Sequence, residues 1–231
     1  MFWYIDRYYI LLIIPAMLIA LFAQMRVQST FRQYSRVYSS RGATAAQVAR
    51  DILDQNGLRQ VRIERVSGNL TDHYDPRANV VRLSDPVYGS SSIAAIGVAA
   101  HEVGHAIQHA EEYVPLTLRN AIIPVTNLGS RLSIPLILLG LVFSFQPLVE
   151  LGILAFSLMV VFQLVTLPVE FDASHRALRT LGGEGYLTRD EVAGARSVLT
   201  AAALTYVAAL ITAVAQLLRL VLLFGRRDRD D

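Results

Sequence analysis

The chain alternates between long stretches without charge and one polar segment of ordinary soluble character. Tyr8 to Met25 (YYILLIIPAMLIALFAQM) carries no charged residue. A bilayer core needs roughly 20 apolar helical residues, so this run predicts a first membrane span. Asp6 and Arg7 cancel ahead of it, and no small-x-small site closes it. That favours a retained anchor over a cleaved signal peptide. Ile134 to Val169 is apolar apart from Ser144-Phe145-Gln146-Pro147 and Glu150. It is too long for one span and fits a hairpin of two joined by a tight turn. A last run, Val198 to Phe224, predicts a fourth span, weakened at its far end by Gln216 and Arg219. Arg219 is expected to snorkel toward the headgroups.

Between the first span and the hairpin, Arg26 to about Asn120 reads as a small water-exposed domain. Thr44-Ala45-Ala46-Gln47 fits a capping box, Val48, Ile52 and Leu53 follow at helical spacing, and Asn56-Gly57 is a stop signal. Val61 to Val66 alternates with period two, Ser67-Gly68-Asn69 breaks it, and Asp75 to Asn79 offers a turn before Val80-Val81-Arg82-Leu83. These predict short strands in a small sheet. After the N-cap candidates Ser90 to Ser92, Ile93 to about Ala110 is proline-free and rich in alanine, which predicts a helix. There is no internal repeat, and the tail Arg226 to Asp231 reads as a solvated end.

Composition agrees with this division: 53% of the 231 residues are hydrophobic and only 17% charged, too apolar for a wholly soluble surface. Cysteine is absent, so any metal site must use nitrogen and oxygen. All 21 basic residues are arginine, most simply a coding bias. The net charge of +2, with no basic stripe interleaved by aromatics, gives no sign of nucleic acid as a partner.

The predicted helix carries Ala100-His101-Glu102-Val103-Gly104-His105. Residues four apart share a helix face, so His101 and His105 can present two imidazole nitrogens to one ion, with Glu102 at the adjoining edge. Zinc hydrolysis needs this spacing: three protein ligands, one position for water, and a carboxylate just outside to take the proton. Two ordinary helix histidines beside a glutamate are the bland alternative. Gly104 and the alanines would let other backbone approach.

The third ligand has several candidates. His109 lies another ~6 Å along the axis, too far to share an ion with His101 on an unbroken helix, and Glu111 and Glu112 share that difficulty. His73, in Thr71-Asp72-His73-Tyr74-Asp75, suits turn chemistry or substrate contact better. Glu170, immediately after the third apolar run, ranks first, with Asp172 and His175 next. Only Ile93 to Ala100 is continuously apolar around the motif, too short for a span, which places the site at the membrane surface rather than within it.

His-Glu-Val-Gly-His, followed by Glu170-Phe171-x-Ala173 after a hairpin, resembles the membrane zinc proteases of the HtpX and CAAX prenyl protease type. Through Tyr9 to Leu12, Leu70 to Pro76, Gly97 to Glu102, Leu167 to Phe171 and Ala201 to Tyr206, nearly the whole chain more closely resembles the bacterial YugP-like neutral zinc metallopeptidases. The resemblance implies Zn²⁺ held by His101, His105 and Glu170, with Glu102 as catalytic base. In the broader group an Asp often stands four residues after the glutamate ligand. Ser174 stands there in this chain, so the resemblance supplies no carboxylate support for a histidine at that position.

The expected fold is an α-helical integral membrane protein with a small α+β zincin-like metallopeptidase domain at the membrane surface. Its parts are an anchor (1–25), the domain carrying the motif (26–120), the hairpin (121–169), a surface segment with the third ligand (170–197), and a last helix with its tail (198–231). The expected activity is endopeptidase action on protein or peptide substrates, with an edge strand at Asn79 to Ser84 pairing with the substrate. His73, His175, Arg176 and Tyr186 are candidates for oxyanion or substrate contact. A non-catalytic membrane scaffold with a retained structural zinc site is the rival class. Retention of Glu102 favours the enzyme. Two spans separate the site-bearing segments, which places both on one side. Ten arginines near span ends or in short loops of those segments, against Arg7, Arg226, Arg227 and Arg229 opposite, point that side to the cytoplasm of a multi-pass bacterial plasma-membrane protein.

Overall fold

The computed structural model describes residues 6–225; the predicted tail from Arg226 onward lies outside them. The protein is mostly helical. A π-helical turn, Tyr9–Ile13, leads into α1 (Ile14–Tyr34). There follow α2 (Ala45–Gln55), β1 (Arg62–Val66), β2 (His73–Asp75), β3 (Val80–Ser84), α3 (Asp85–Tyr88) and α4 (Ile93–Ala110). The chain ends in three long helices, α5 (Val114–Val142), α6 (Gln146–Gly183) and α7 (Arg189–Phe224). The helices Tyr9–Tyr34, α5, α6 and α7 are each long and apolar enough to cross a membrane.

Two compact units divide the chain. The first comprises Met1–Ala23, Leu118–Leu167 and Thr205–Asp231. Its surface is apolar, with Leu11 67%, Leu18 61%, Leu154 64% and Val142 76% exposed, the inverse of a soluble protein. Its interior is built by close backbone approach. A Cβ on Gly152 would stand 2.8 Å from the Ser133 carbonyl oxygen, and one on Gly140 would stand 2.8 Å from the Val149 nitrogen. Small residues therefore hold α5 against α6, as small residues do where helices meet without a hydrophobic driving force. The turn between these helices falls at Phe143 to Phe145, where the apolar pattern predicts it. Arg219 does not simply snorkel. Its Nη2 and Nε donate to Asp6 Oδ2 at 2.6 and 2.9 Å, because a carboxylate within reach satisfies a guanidinium better than an apolar surrounding does.

The second unit, Gln24–Thr117 with Pro168–Leu204, has a conventional core. The capping box forms as predicted: Thr44 Oγ1 accepts from the Gln47 N–H while the Gln47 side chain accepts from the Thr44 N–H. It starts α2, whose Val48, Ile52 and Leu53 pack with Val81, Leu83, Ile96, Val103 and Leu181. Gly57, at φ 73°, turns the chain after α2, a conformation that glycine adopts without steric cost.

The sheet corrects one expectation. Its order is β1-β3-β2, with β1 parallel and β2 antiparallel to β3. Val80 to Ser84 is thus the central strand and not an edge, so its backbone is already paired on both sides. Its burial fits that place: every residue but Arg82 is buried. The missed strand, β2, is short and carries polar His73 and Asp75, so alternation could not reveal it. Asp72 anchors its approach, accepting from the Ser84 N–H at 2.7 Å and the Ser84 hydroxyl at 2.8 Å.

Candidate metal centre

Ser92 caps α4 as predicted, its hydroxyl accepting from the Ala95 N–H. The small side chains that follow let α4 be buried on most of its circumference, against α2, α3 and the sheet. Against it also lies the part of α6 that begins at Pro168. Gly104 sets the spacing there: a Cβ on it would lie 2.7 Å from the Ala173 carbonyl oxygen and 3.2 Å from the Ala173 Cα. Only a glycine permits this approach, and the approach carries Glu170 to the two histidines.

His101 Nε2 lies 3.3 Å, and His105 Nε2 3.5 Å, from Glu170 Oε2. The two rings meet edge to face with centroids 4.7 Å apart. One ligand atom from each of the three residues falls within 4.8 Å of the others. Zinc bound tetrahedrally to nitrogen and oxygen at about 2.0–2.2 Å places neighbouring donor atoms roughly 3.3–3.6 Å apart. The histidine-to-glutamate separations fall in that interval, and the donor set of two imidazoles and one carboxylate suits a borderline divalent cation.

The electrostatics point the same way. Burial pushes the His105 imidazole toward neutrality, but the hydrogen bond to Glu170 and the negative charges of Glu102 and Glu170 outweigh it and hold its pKa above the ordinary value. A site that favours an extra positive charge on an imidazole also favours a metal cation. Glu102 is buried, with 8% of its surface exposed.

The surrounding contacts orient the ligands. Ser174 Oγ is 3.1 Å from His101 Nδ1. The position at which the family pattern offers an Asp therefore supports a histidine here through a hydroxyl, which reaches the ring because the helices are so close. Gln108, fully buried, places its amide oxygen 3.0 Å from His105 Nδ1. From the sequence alone, Gln108 is assigned no role. The available signal was its place one turn beyond His105, on the face of α4 that carries both histidines.

The remaining candidates are placed elsewhere. Asp172 accepts from Gln108 Nε2 at 2.7 Å and Arg176 Nε at 2.6 Å, and Arg176 also pairs with Glu111. Arg176 thus reaches the trio only through Asp172 and Gln108. His175 is exposed on α6. His73 is exposed on β2, its Nδ1 2.8 Å from the Thr71 carbonyl oxygen, a local turn contact. His109 meets the Tyr74 hydroxyl at 2.9 Å, away from the trio, as its axial position predicts. Tyr186 belongs to the core and accepts from Gln55 Nε2.

Comparison with known proteins gives a consistent picture. The family model described as "Putative neutral zinc metallopeptidase" matches residues 9–225. A curated relative, "Putative membrane protease YugP" of Bacillus subtilis (strain 168), is 51% identical over 223 residues, covering 96% of this chain and 99% of the relative. No solved structure matches the chain.

Proposed function

The chain belongs to the family described as "putative neutral zinc metallopeptidase", and from that premise we propose that it is a membrane-bound, zinc-dependent endopeptidase. The observation that carries the reading is the convergence of His101, His105 and Glu170, from two separate helices, at separations suited to one tetrahedral zinc. Zinc, when bound by these three, supplies the Lewis acidity that makes water a nucleophile near neutral pH and polarises the carbonyl under attack.

The protein's own groups do the rest. The Glu102 carboxylate accepts the proton of the attacking water and returns it to the departing amine, the role of a general base that becomes a general acid. Ser174 and Gln108 hold the imidazoles in place from behind. With β3 in the middle of the sheet, a substrate strand would add at β2, whose Tyr74 touches His109 one turn beyond His105.

The four apolar helices support a multi-pass chain, and the relative's printed name, "Putative membrane protease YugP" of Bacillus subtilis (strain 168), supports a bacterial membrane as its setting. The distribution of arginine, concentrated in the two segments that carry the motif and Glu170, favours a site on the cytoplasmic side. The test of the zinc reading is metal analysis of untagged, detergent-purified protein. Wild type is expected to hold about one zinc per chain and a double His101→Ala/His105→Ala variant almost none. Equal zinc in both would refute the ligand pair.

A further inference from the structure

The amide of Gln108 is held from three directions. Its Nε2 lies 2.8 Å from the Val169 carbonyl oxygen and 2.7 Å from Asp172 Oδ2, while its Oε1 lies 3.0 Å from His105 Nδ1. An amide side chain offers two N–H donors and one accepting oxygen. Both donors are used by accepting groups, a backbone carbonyl and the carboxylate oxygen of Asp172 that also accepts from Arg176 Nε at 2.6 Å. Turning the amide over would set its oxygen against those two acceptors, so its orientation is fixed by the network. Oε1 therefore faces the imidazole and can only accept, which requires that His105 Nδ1 carry a proton. In a neutral ring the lone pair is then on Nε2, the nitrogen 3.5 Å from Glu170 Oε2.

We infer that Gln108 is a positioning residue that locks His105 in the Nδ1–H tautomer and presents Nε2 to the cation that Glu170 helps to hold. The inference rests on the zinc reading above. In that tautomer Nε2 and Oε2, 3.5 Å apart, are two donor atoms that one cation can share. The anchor of the lock lies on α6, since Val169 and Asp172 flank Glu170 in sequence. One buried amide thus ties the orientation of a ligand on α4 to the helix segment that supplies the third ligand. A ligand's outer partner of this kind is worth roughly 10- to 100-fold in metal affinity.

The test uses untagged full-length protein, labelled with ¹⁵N-histidine, in detergent. In chelator-treated wild type, at a pH above the His105 titration, nitrogen NMR is expected to show His105 protonated at Nδ1 and bare at Nε2. In Gln108→Met, which keeps the volume and removes both bonding functions, the spectrum should show mixed tautomers. Zinc affinity, measured by competition with a chromophoric chelator, should fall about 10- to 100-fold. A wild-type ring protonated at Nε2 would overturn the inference. So would a folded Gln108→Met protein whose zinc affinity stays within about two-fold of wild type, given the effect expected of an outer partner. If Gln108→Met does not fold, the wild-type spectrum decides alone. If wild type binds no zinc, the zinc reading fails, and the spectrum still decides the tautomer.

Discussion

Both units draw charged side chains out of solvent, partly in one and fully in the other, and they treat them differently. In the apolar unit, Asp6 and Arg219 meet through two hydrogen bonds to one carboxylate oxygen. The pair neutralises itself and asks for nothing further. In the other unit, Glu170 and Glu102 are buried beside two imidazoles. The Arg176 guanidinium of the neighbouring network pairs with Asp172 and Glu111. Two imidazoles and a carboxylate, with one donor atom of each within 4.8 Å of the others, form a set that a divalent cation can bridge. A guanidinium on a carboxylate makes a structural ion pair, whereas two imidazoles on a carboxylate make a candidate metal centre.

The surfaces differ in the same instructive way. The apolar unit exposes leucines and valines and packs its interior through glycine contacts, which suits a lipid surrounding. The other unit buries its aliphatic residues and exposes arginine and acidic groups, which suits water. The contrast breaks completely if the apolar helices do not span. A reporter active only in the cytoplasm, inserted near Gly42, is therefore expected to be fully active, and one active only outside to be silent. The reverse pattern would invert the orientation.

The next largest effect concerns the third ligand. Glu170→Ala should remove most bound zinc, by 10²-fold or more in affinity, since it takes away one of three ligands. His109→Ala should leave zinc content unchanged, because its ring is engaged with Tyr74. Reversed outcomes would show that Glu170 is the wrong group for the third position. A smaller effect is expected of Gly104→Ala. The added methyl would press on backbone at Ala173 rather than on a movable side chain, which costs about 1–3 kcal/mol. Its thermal midpoint in detergent should fall, and zinc affinity should fall with it, as Glu170 is pushed from the histidines. An unchanged midpoint would mean that the close approach of α4 and α6 is not needed.

How far the sequence could foresee this depends on whether a feature is local. The capping box at Thr44, the N-cap at Ser92, the turn after Val142 and the shared face of His101 and His105 are set by residues within a turn of one another. All were legible. The choice of Glu170 was legible from its position after an apolar run, and Gly104 as a point of close approach from its size. What escaped was non-local. β2 exists because β3 offers it a partner, and β3 is central because β1 and β2 flank it, which no period-two pattern in Val80 to Ser84 reveals. Ser174 supports His101 across 73 residues of sequence, and Arg219 finds Asp6 across 213. Gln108 drew no notice because its three partners come from two helices.

The central claim is that Glu102 acts as a base beside a zinc ion held by its neighbours. It is tested most directly by Glu102→Gln, assayed for zinc content and for hydrolysis of an unfolded protein substrate in the same preparation. The account predicts about one zinc per chain, as in wild type, with hydrolysis reduced by about 10²- to 10⁴-fold. Near-normal hydrolysis with zinc retained would contradict it.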